Sequence, residues 1–157
     1  PRHMDFHPNG KFAYLINERN NTMTAYAFDA VTGTLSEVQT VNTLPSGFVD
    51  TSYCADVHVH PNGKFLYGSN RGHNSIVVFS LNPSTGEMTL VEHVPTGGDW
   101  PRNFTVDPSG TLLFVANQYS GDIHGFAINQ NDGKLTPLGE AAMLSGPAFV
   151  GIVTQPK

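Results

Sequence analysis

A single cysteine, Cys54, among 157 residues leaves no internal disulfide to form, so the fold has to rest on packing and hydrogen bonds. That usage suits a reducing compartment, and a cytoplasmic location is the expectation. Charge is scarce as well: 13% of residues are charged, against roughly 25% in an average globular chain. The 8 Lys and Arg stand against 13 Asp and Glu with no basic cluster, so nothing supports an electrostatic grip on nucleic acid or an anionic membrane. Apolar runs fall well short of the roughly 20 residues of a membrane-spanning helix, no signal-peptide pattern opens the chain, and no stretch has the helical period. The Gly-x-Ser-x-Gly elbow, the P-loop and a Gly-x-Gly-x-x-Gly after a strand are missing too, which leaves acyl-serine chemistry and nucleotide cradling unsupported. No cofactor is implied. Cys54 reads as a small buried residue rather than a nucleophile.

What the chain has in quantity is turn residues, 16 Gly and 11 Pro, with 39% apolar residues to fill a core. They fall in a pattern. Asp5-Phe6-His7-Pro8-Asn9-Gly10-Lys11-Phe12 returns as His58-Val59-His60-Pro61-Asn62-Gly63-Lys64-Phe65 and again as Thr105-Val106-Asp107-Pro108-Ser109-Gly110-Thr111-Leu112. Pro8, Pro61 and Pro108 are spaced by 53 and 47 residues, and so are Gly33, Gly86 and Gly133 further along each unit. Two markers keeping one register identify a repeat of propeller-blade length, roughly 40–50 residues.

Each unit reads as four short strands, A to D, joined by hairpins, over residues 1–41, 54–94 and 101–141. The segment 147–153 aligns with the start of a fourth unit and is predicted to supply one more strand A. Four-stranded antiparallel sheets repeated around an axis make a β-propeller, so the fold expectation is all-β, about three blades plus one strand. A seven-bladed ring needs about 330 residues at this period, so the chain is read as half of one. The other half is expected from a missing N-terminal portion or a second copy. The first is favoured, because a second copy would add another strand A where strands B to D are needed.

In an antiparallel blade the start of strand A and the end of strand B share one end, and the A–B and C–D turns share the other. Arg2 and Arg102 precede strand A, and Arg19 and Arg71 follow strand B, so all four arginines are predicted on one face. Lys11, Lys64 and Lys134 fall on the opposite one. Arginine suits fork-like recognition of carboxylate or phosphate, so the arginine face reads as an anion-binding mouth.

Comparing units separates scaffold from task. Asn17, Asn70 and Asn117 recur at one position and read as B–C turn residues bonding nearby backbone. The next position diverges into Glu18, Arg71 and Gln118, and the position before strand A into Arg2, Ala55 and Arg102. The divergent polar residues Arg2, Glu18, Arg71, Arg102 and His73 are the candidate site; the alternative is a set of solvated rim charges. His3, beside Arg2, is either an acid or base or a polar channel residue. His58 and His60 alternate along a strand as two metal ligands would, but His60 matches His7 and Asp107, where turn capping explains the residue better, and no metal is expected.

The segments Pro1-Arg2-His3-Met4-Asp5-Phe6-His7-Pro8-Asn9-Gly10-Lys11, Ile16-Asn17-Glu18, Ser69-Asn70-Arg71-Gly72-His73 and Pro101-Arg102-Asn103-Phe104 resemble the C-terminal half of the seven-bladed lactonase family, which includes propeller-type 6-phosphogluconolactonases and carboxymuconate cyclases. The resemblance covers essentially the whole chain. It implies that Arg2, Glu18 and Arg71 belong to an active site, with a family histidine from an earlier blade unmatched here. It further implies hydrolysis of an anionic sugar lactone such as 6-phosphogluconolactone, with Arg2 and Arg71 holding phosphate or carboxylate and an ionised Glu18, better suited to a base than an acid, orienting or deprotonating water. A muconate-type lactonizing cycloisomerase and a non-catalytic propeller that binds ligands are the alternatives.

Overall fold

A computed structural model of the chain describes residues 1–153. Twelve strands form three antiparallel four-stranded sheets, each in simple chain order. The first sheet holds β1 (His3–Phe6), β2 (Phe12–Asn17), β3 (Thr22–Asp29) and β4 (Thr34–Asn42). The second holds β5 (Tyr53–Val59), β6 (Phe65–Arg71), β7 (Ser75–Leu81) and β8 (Met88–Pro95). The third holds β9 (Pro101–Val106), β10 (Leu112–Asn117), β11 (Asp122–Ile128) and β12 (Leu135–Met143). These are the three expected blades of a partial β-propeller. Every strand predicted within these blades is present, and most extend by a residue or two into the adjoining turn.

The hydrophobic core lies between blades. One cluster joins Tyr14, Ile16 and Met23 of the first blade to Val57, Leu66 and Phe79 of the second. Another joins Tyr67, Ile76 and Val78 to Phe104, Leu113 and Phe126 of the third. The middle blade is therefore covered on both faces, and β6 is buried at all seven positions. Burying each such aromatic or branched side chain contributes roughly 1.5–3 kcal/mol, so each blade depends on its neighbours for most of its stability.

Polar stitches fix how the blades meet. His7 accepts the Asn9 N–H on Nδ1 (3.0 Å) and donates from Nε2 to the Gly63 carbonyl of the next blade (2.8 Å). His60 does the same with Asn62 (3.1 Å) and Gly110 (2.8 Å). Tyr14 and Tyr67 donate to the C–D turn carbonyls of Gly86 (3.1 Å) and Gly133 (3.0 Å). The capping role expected of His60 is thus present, and the same ring also clamps the neighbouring turn. Gly63 is required twice over: its φ is +72°, and a Cβ there would meet the His7 ring at 2.7 Å.

Two sequence readings change. Residues 147–153 form no strand: they have no B to D partners to pair with among the described residues, and the Val150 N–H instead donates to Asn103 Oδ1 (2.7 Å) on β9. The repeated asparagines lie at the ends of β2, β6 and β10 rather than in the B–C turns themselves. Asn70 donates to the Thr43 carbonyl of the preceding linker (2.9 Å) and Asn117 to the Asp122 carboxylate (2.8 Å), so they tie strand B to its surroundings through side chains as well as backbone.

Candidate active site

The innermost strands β1, β5 and β9 stand side by side, and β5 departs from regular pairing. Its register with β6 shifts between Cys54 and Val57, a bulge in the strand. Arginine side chains donate to the carbonyls at and just before it. Arg71 donates from Nε to the Tyr53 carbonyl (3.3 Å) and from Nη2 to Cys54 (2.9 Å), and Arg2 donates from Nη1 to Ala55. A strand irregularity thus gathers arginines from two blades around three neighbouring peptide groups.

Arg71 is buried, and its Nη2 also bonds Glu18 Oε1 at 2.5 Å. Its guanidinium lies over Trp100, 5.3 Å from the ring centroid, with Tyr53 at 6.0 Å. Trp100 holds a left-handed φ of +67°, a conformation that costs a bulky residue energy, fixed by its N–H donating to Asn74 Oδ1 (3.0 Å) and by stacking on Tyr119 at 4.7 Å. The hydrogen bond from Arg71 is the largest influence on the Glu18 carboxyl and, with the fields of Arg71, Arg2 and Arg19, outweighs burial and holds it below the usual range. Arg2 is depressed from its ordinary value by burial and then by repulsion from Arg71 and Arg102, only partly offset by Glu18 and Asp56. Arg102 is half-buried on β9 and makes no hydrogen bond or ion pair among the described residues.

Arg2, Glu18, Arg71 and Arg102 are therefore brought within one electrostatic neighbourhood. His73 is not. Its Nδ1 bonds Ser75 (2.7 Å) and its ring packs on Phe48 and His93, because the B–C turn carries it outward toward β8. Burial first, and His93 second, lower its pKa. Cys54 is fully buried against Thr43, with its thiol pushed up to about 11 by burial, as suits a packing residue.

His3 lies at the centre of a cluster that the unit comparison passed over. Its Nδ1 donates to Asp56 Oδ1 (2.6 Å), and Asp56 is almost wholly buried. Asp56 also accepts from His58 Nε2 (3.3 Å), from Asn103 Nδ2, and from the backbone N–H groups of Val57 (3.0 Å) and Phe104 (3.3 Å). Burial alone would raise the Asp56 carboxyl, but the donors, led by His58 and then His3, win and bring it to about 2. Burial opposes the His58 charge, and the bond to Asp56 with the fields of Asp56 and Asp5 overcomes it, so His58 is raised. His3, Asp56 and Asn103 occupy the same place in three successive blades, one residue beyond Arg2, Ala55 and Arg102. Divergence at that position was the available signal.

The cluster lines a cleft of about 770 Å³ walled by β1, β5, β9 and the 149–153 segment, and Arg2 reaches into it. Glu18 borders a smaller recess of about 340 Å³ beside Pro1 and Arg19. Among the described residues no three His, Cys, Asp or Glu side chains are placed to hold a metal ion, and His60 is committed to its turn. No helix of the described residues is long and apolar enough to cross a membrane.

Comparisons with known proteins agree with one another. The 6-phosphogluconolactonase of Pectobacterium carotovorum is 42% identical over 98% of this chain, and that of Bacillus subtilis 37% identical over 99%. The chain spans about half the length of these relatives, 46% and 44% respectively. The periplasmic gluconolactonase PpgL of Pseudomonas aeruginosa superposes with a TM-score of 0.93 at 32% identity, over 99% of this chain and 43% of that one. The family described as Lactonase, 7-bladed beta-propeller, matches residues 1–152. With three blades of its architecture and matching sequence over nearly every residue, the chain belongs to the seven-bladed β-propeller lactonase family.

Proposed function

We propose that the protein hydrolyses an anionic sugar lactone, a 6-phosphogluconolactone-like substrate, at the arginine-rich end of the inner strands. The observation that carries this reading is the gathering of Arg2 and Arg71 on neighbouring β5 carbonyls, with Arg102 near enough to add to the repulsion that follows burial in lowering Arg2, and with Glu18 the one carboxylate among the described residues in an ion pair with them. Such a field is relieved by an incoming anion. The names carried by the relatives, 6-phosphogluconolactonase and gluconolactonase, support the choice of a lactone.

The roles divide by availability. Arg2 and Arg102 have donors to offer a phosphate or carboxylate and the developing oxyanion. Arg71 is spent on three carbonyl and carboxylate contacts, so it acts by its field and by holding Glu18. Glu18 stays ionised, but a carboxylate held below its usual pKa takes up a proton poorly. It serves better to orient Arg71 and a water than as the base expected from its charge alone.

The test is acid release from 6-phosphogluconolactone by the purified protein, measured against spontaneous hydrolysis. Acceleration is expected, with Arg102→Ala raising KM about tenfold and Arg71→Ala lowering kcat/KM roughly 100-fold, in line with loss of electrostatic stabilisation. An unaccelerated rate, or an unchanged Arg71→Ala variant, overturns the reading. A panel including muconate-type lactones, followed by proton release, separates hydrolysis from cycloisomerisation.

A further inference from the structure

We propose that His3 is the catalytic base of this site, aimed by the buried carboxylate of Asp56, which Asn103 and the Phe104 N–H hold in turn. The inference deepens the lactone-hydrolysis reading and rests on it. Its ground is geometric. Asp56 is acceptor-only when ionised, so the 2.6 Å contact places the proton of neutral His3 on Nδ1 and the lone pair on Nε2. Among the described residues the only other polar contact of that Nε2 is a long one, 3.4 Å from Arg2 Nη1, which a water can replace. The His3 side chain is 45% exposed and lines the 770 Å³ cleft, while Asp56 behind it is 4% exposed. A base open to the cleft, a buried orienting acid and a further donor locking that acid form the nucleophile-activating arrangement that hydrolysis needs.

Solvated rim residues would not be arranged this way. Asp56 collects four donors from β5 and β9 as well as His3, so its orientation is fixed before any ligand arrives. His58 takes the other carboxylate oxygen and has Asp5 at 3.9 Å, which leaves Oδ1 directed at His3. Arg2 adjoins the same Nε2, so the proton acceptor and a cation for the oxyanion are neighbours.

The step balances with water alone. A water held by His3 Nε2 attacks the lactone carbonyl carbon, its proton passes to Nε2, and the carbonyl electron pair moves onto an oxyanion facing Arg2. The oxyanion collapses, the ring C–O bond breaks, and the departing alkoxide takes the proton from Nε2. The new carboxylic acid ionises and releases one proton to solvent, and His3 is neutral again.

The experiment compares the purified protein with its His3→Ala and His3→Gln variants on 6-phosphogluconolactone, with and without added imidazole. His3 is half-exposed, so both variants are expected to keep the parent's circular dichroism and melting temperature. General-base loss predicts a fall in kcat of roughly 100- to 10,000-fold with KM within about threefold. Millimolar imidazole should restore His3→Ala by at least tenfold and leave the parent unchanged. Asp56→Asn should lower kcat with KM kept, and should not respond to imidazole. A His3→Ala variant within about twofold of the parent, or one that loses activity without any imidazole rescue, overturns the assignment while leaving lactone hydrolysis standing. A parent that does not accelerate hydrolysis overturns both.

Discussion

At the scale of single residues, Asp56 shows how a buried carboxylate is made affordable by its donors. Two histidines, an asparagine and two backbone N–H groups surround it, and together they outweigh a desolvation that would otherwise raise it. The sign of the resulting linkage is fixed. A folded-state value of about 2, below an ordinary carboxylate near ~4, gives stability that is full above about pH 4 and is lost as pH falls toward 2. The loss should amount to roughly 2 kcal/mol. His58 runs the other way: raised in the fold, it contributes stability present at low pH and lost as pH climbs through its folded value. The two share one interaction and are not to be summed. Urea melts of the parent and Asp56→Asn between pH 2 and 5 should show a steep acid slope in the first and a flatter one in the second; parallel slopes would refute this account.

At the scale of elements, the turns decide how blades seat against one another. His7 and His60 each cap their own A–B turn and clamp the next one, which is possible only because the facing residue is a glycine in the left-handed region. Gly10 and Gly63 share that backbone, with φ of +69° and +72°, but nothing lies within 4 Å of a Cβ at Gly10. Gly10→Ala should cost about 1–2 kcal/mol from backbone strain alone. Gly63→Ala, which drives a methyl into the His7 ring, should cost at least about 1 kcal/mol more. Equal costs in chemical denaturation would show that the clamp contributes nothing. The third blade lacks the clamp altogether, since Asp107 and Phe114 stand where His60 and Tyr67 stand in the second. The Asp107 carboxylate accepts from its own turn and from Leu112, and neither residue has a donor to extend to a further blade.

At the scale of the whole molecule, stability is graded from the middle outward. The second blade has a packed neighbour on each face, whereas β1 and β12 are largely exposed. In the 157-residue chain, amide hydrogen exchange should be slowest in β6 and β7 and fastest in β1 and β12, by a factor of roughly 100 or more. Uniform protection would contradict core clusters that lie between blades. The same arrangement places the candidate site on the seam of three blades, so none of the three has it alone.

Much of this was legible in the chain. The spacing of Pro8, Pro61 and Pro108 with Gly33, Gly86 and Gly133 determined the repeat, because a hairpin turn demands those residues wherever it falls. Strand direction then put Arg2, Arg71 and Arg102 at one end, since antiparallel connectivity allows no other arrangement. Three things were left to the tertiary structure. The packing of Arg71 onto the Tyr53 and Cys54 carbonyls beside the β5 bulge made it a buried holder of Glu18 rather than an open anion hook. The path of the B–C turn took His73 away from the site. Finally, the close approach of the inner strands turned three unlike residues at one repeat position, His3, Asp56 and Asn103, into a hydrogen-bonded row. Sequence spacing sets which end of a blade a side chain occupies, but the reach of one blade's side chain to the next depends on how far apart packing sets the sheets.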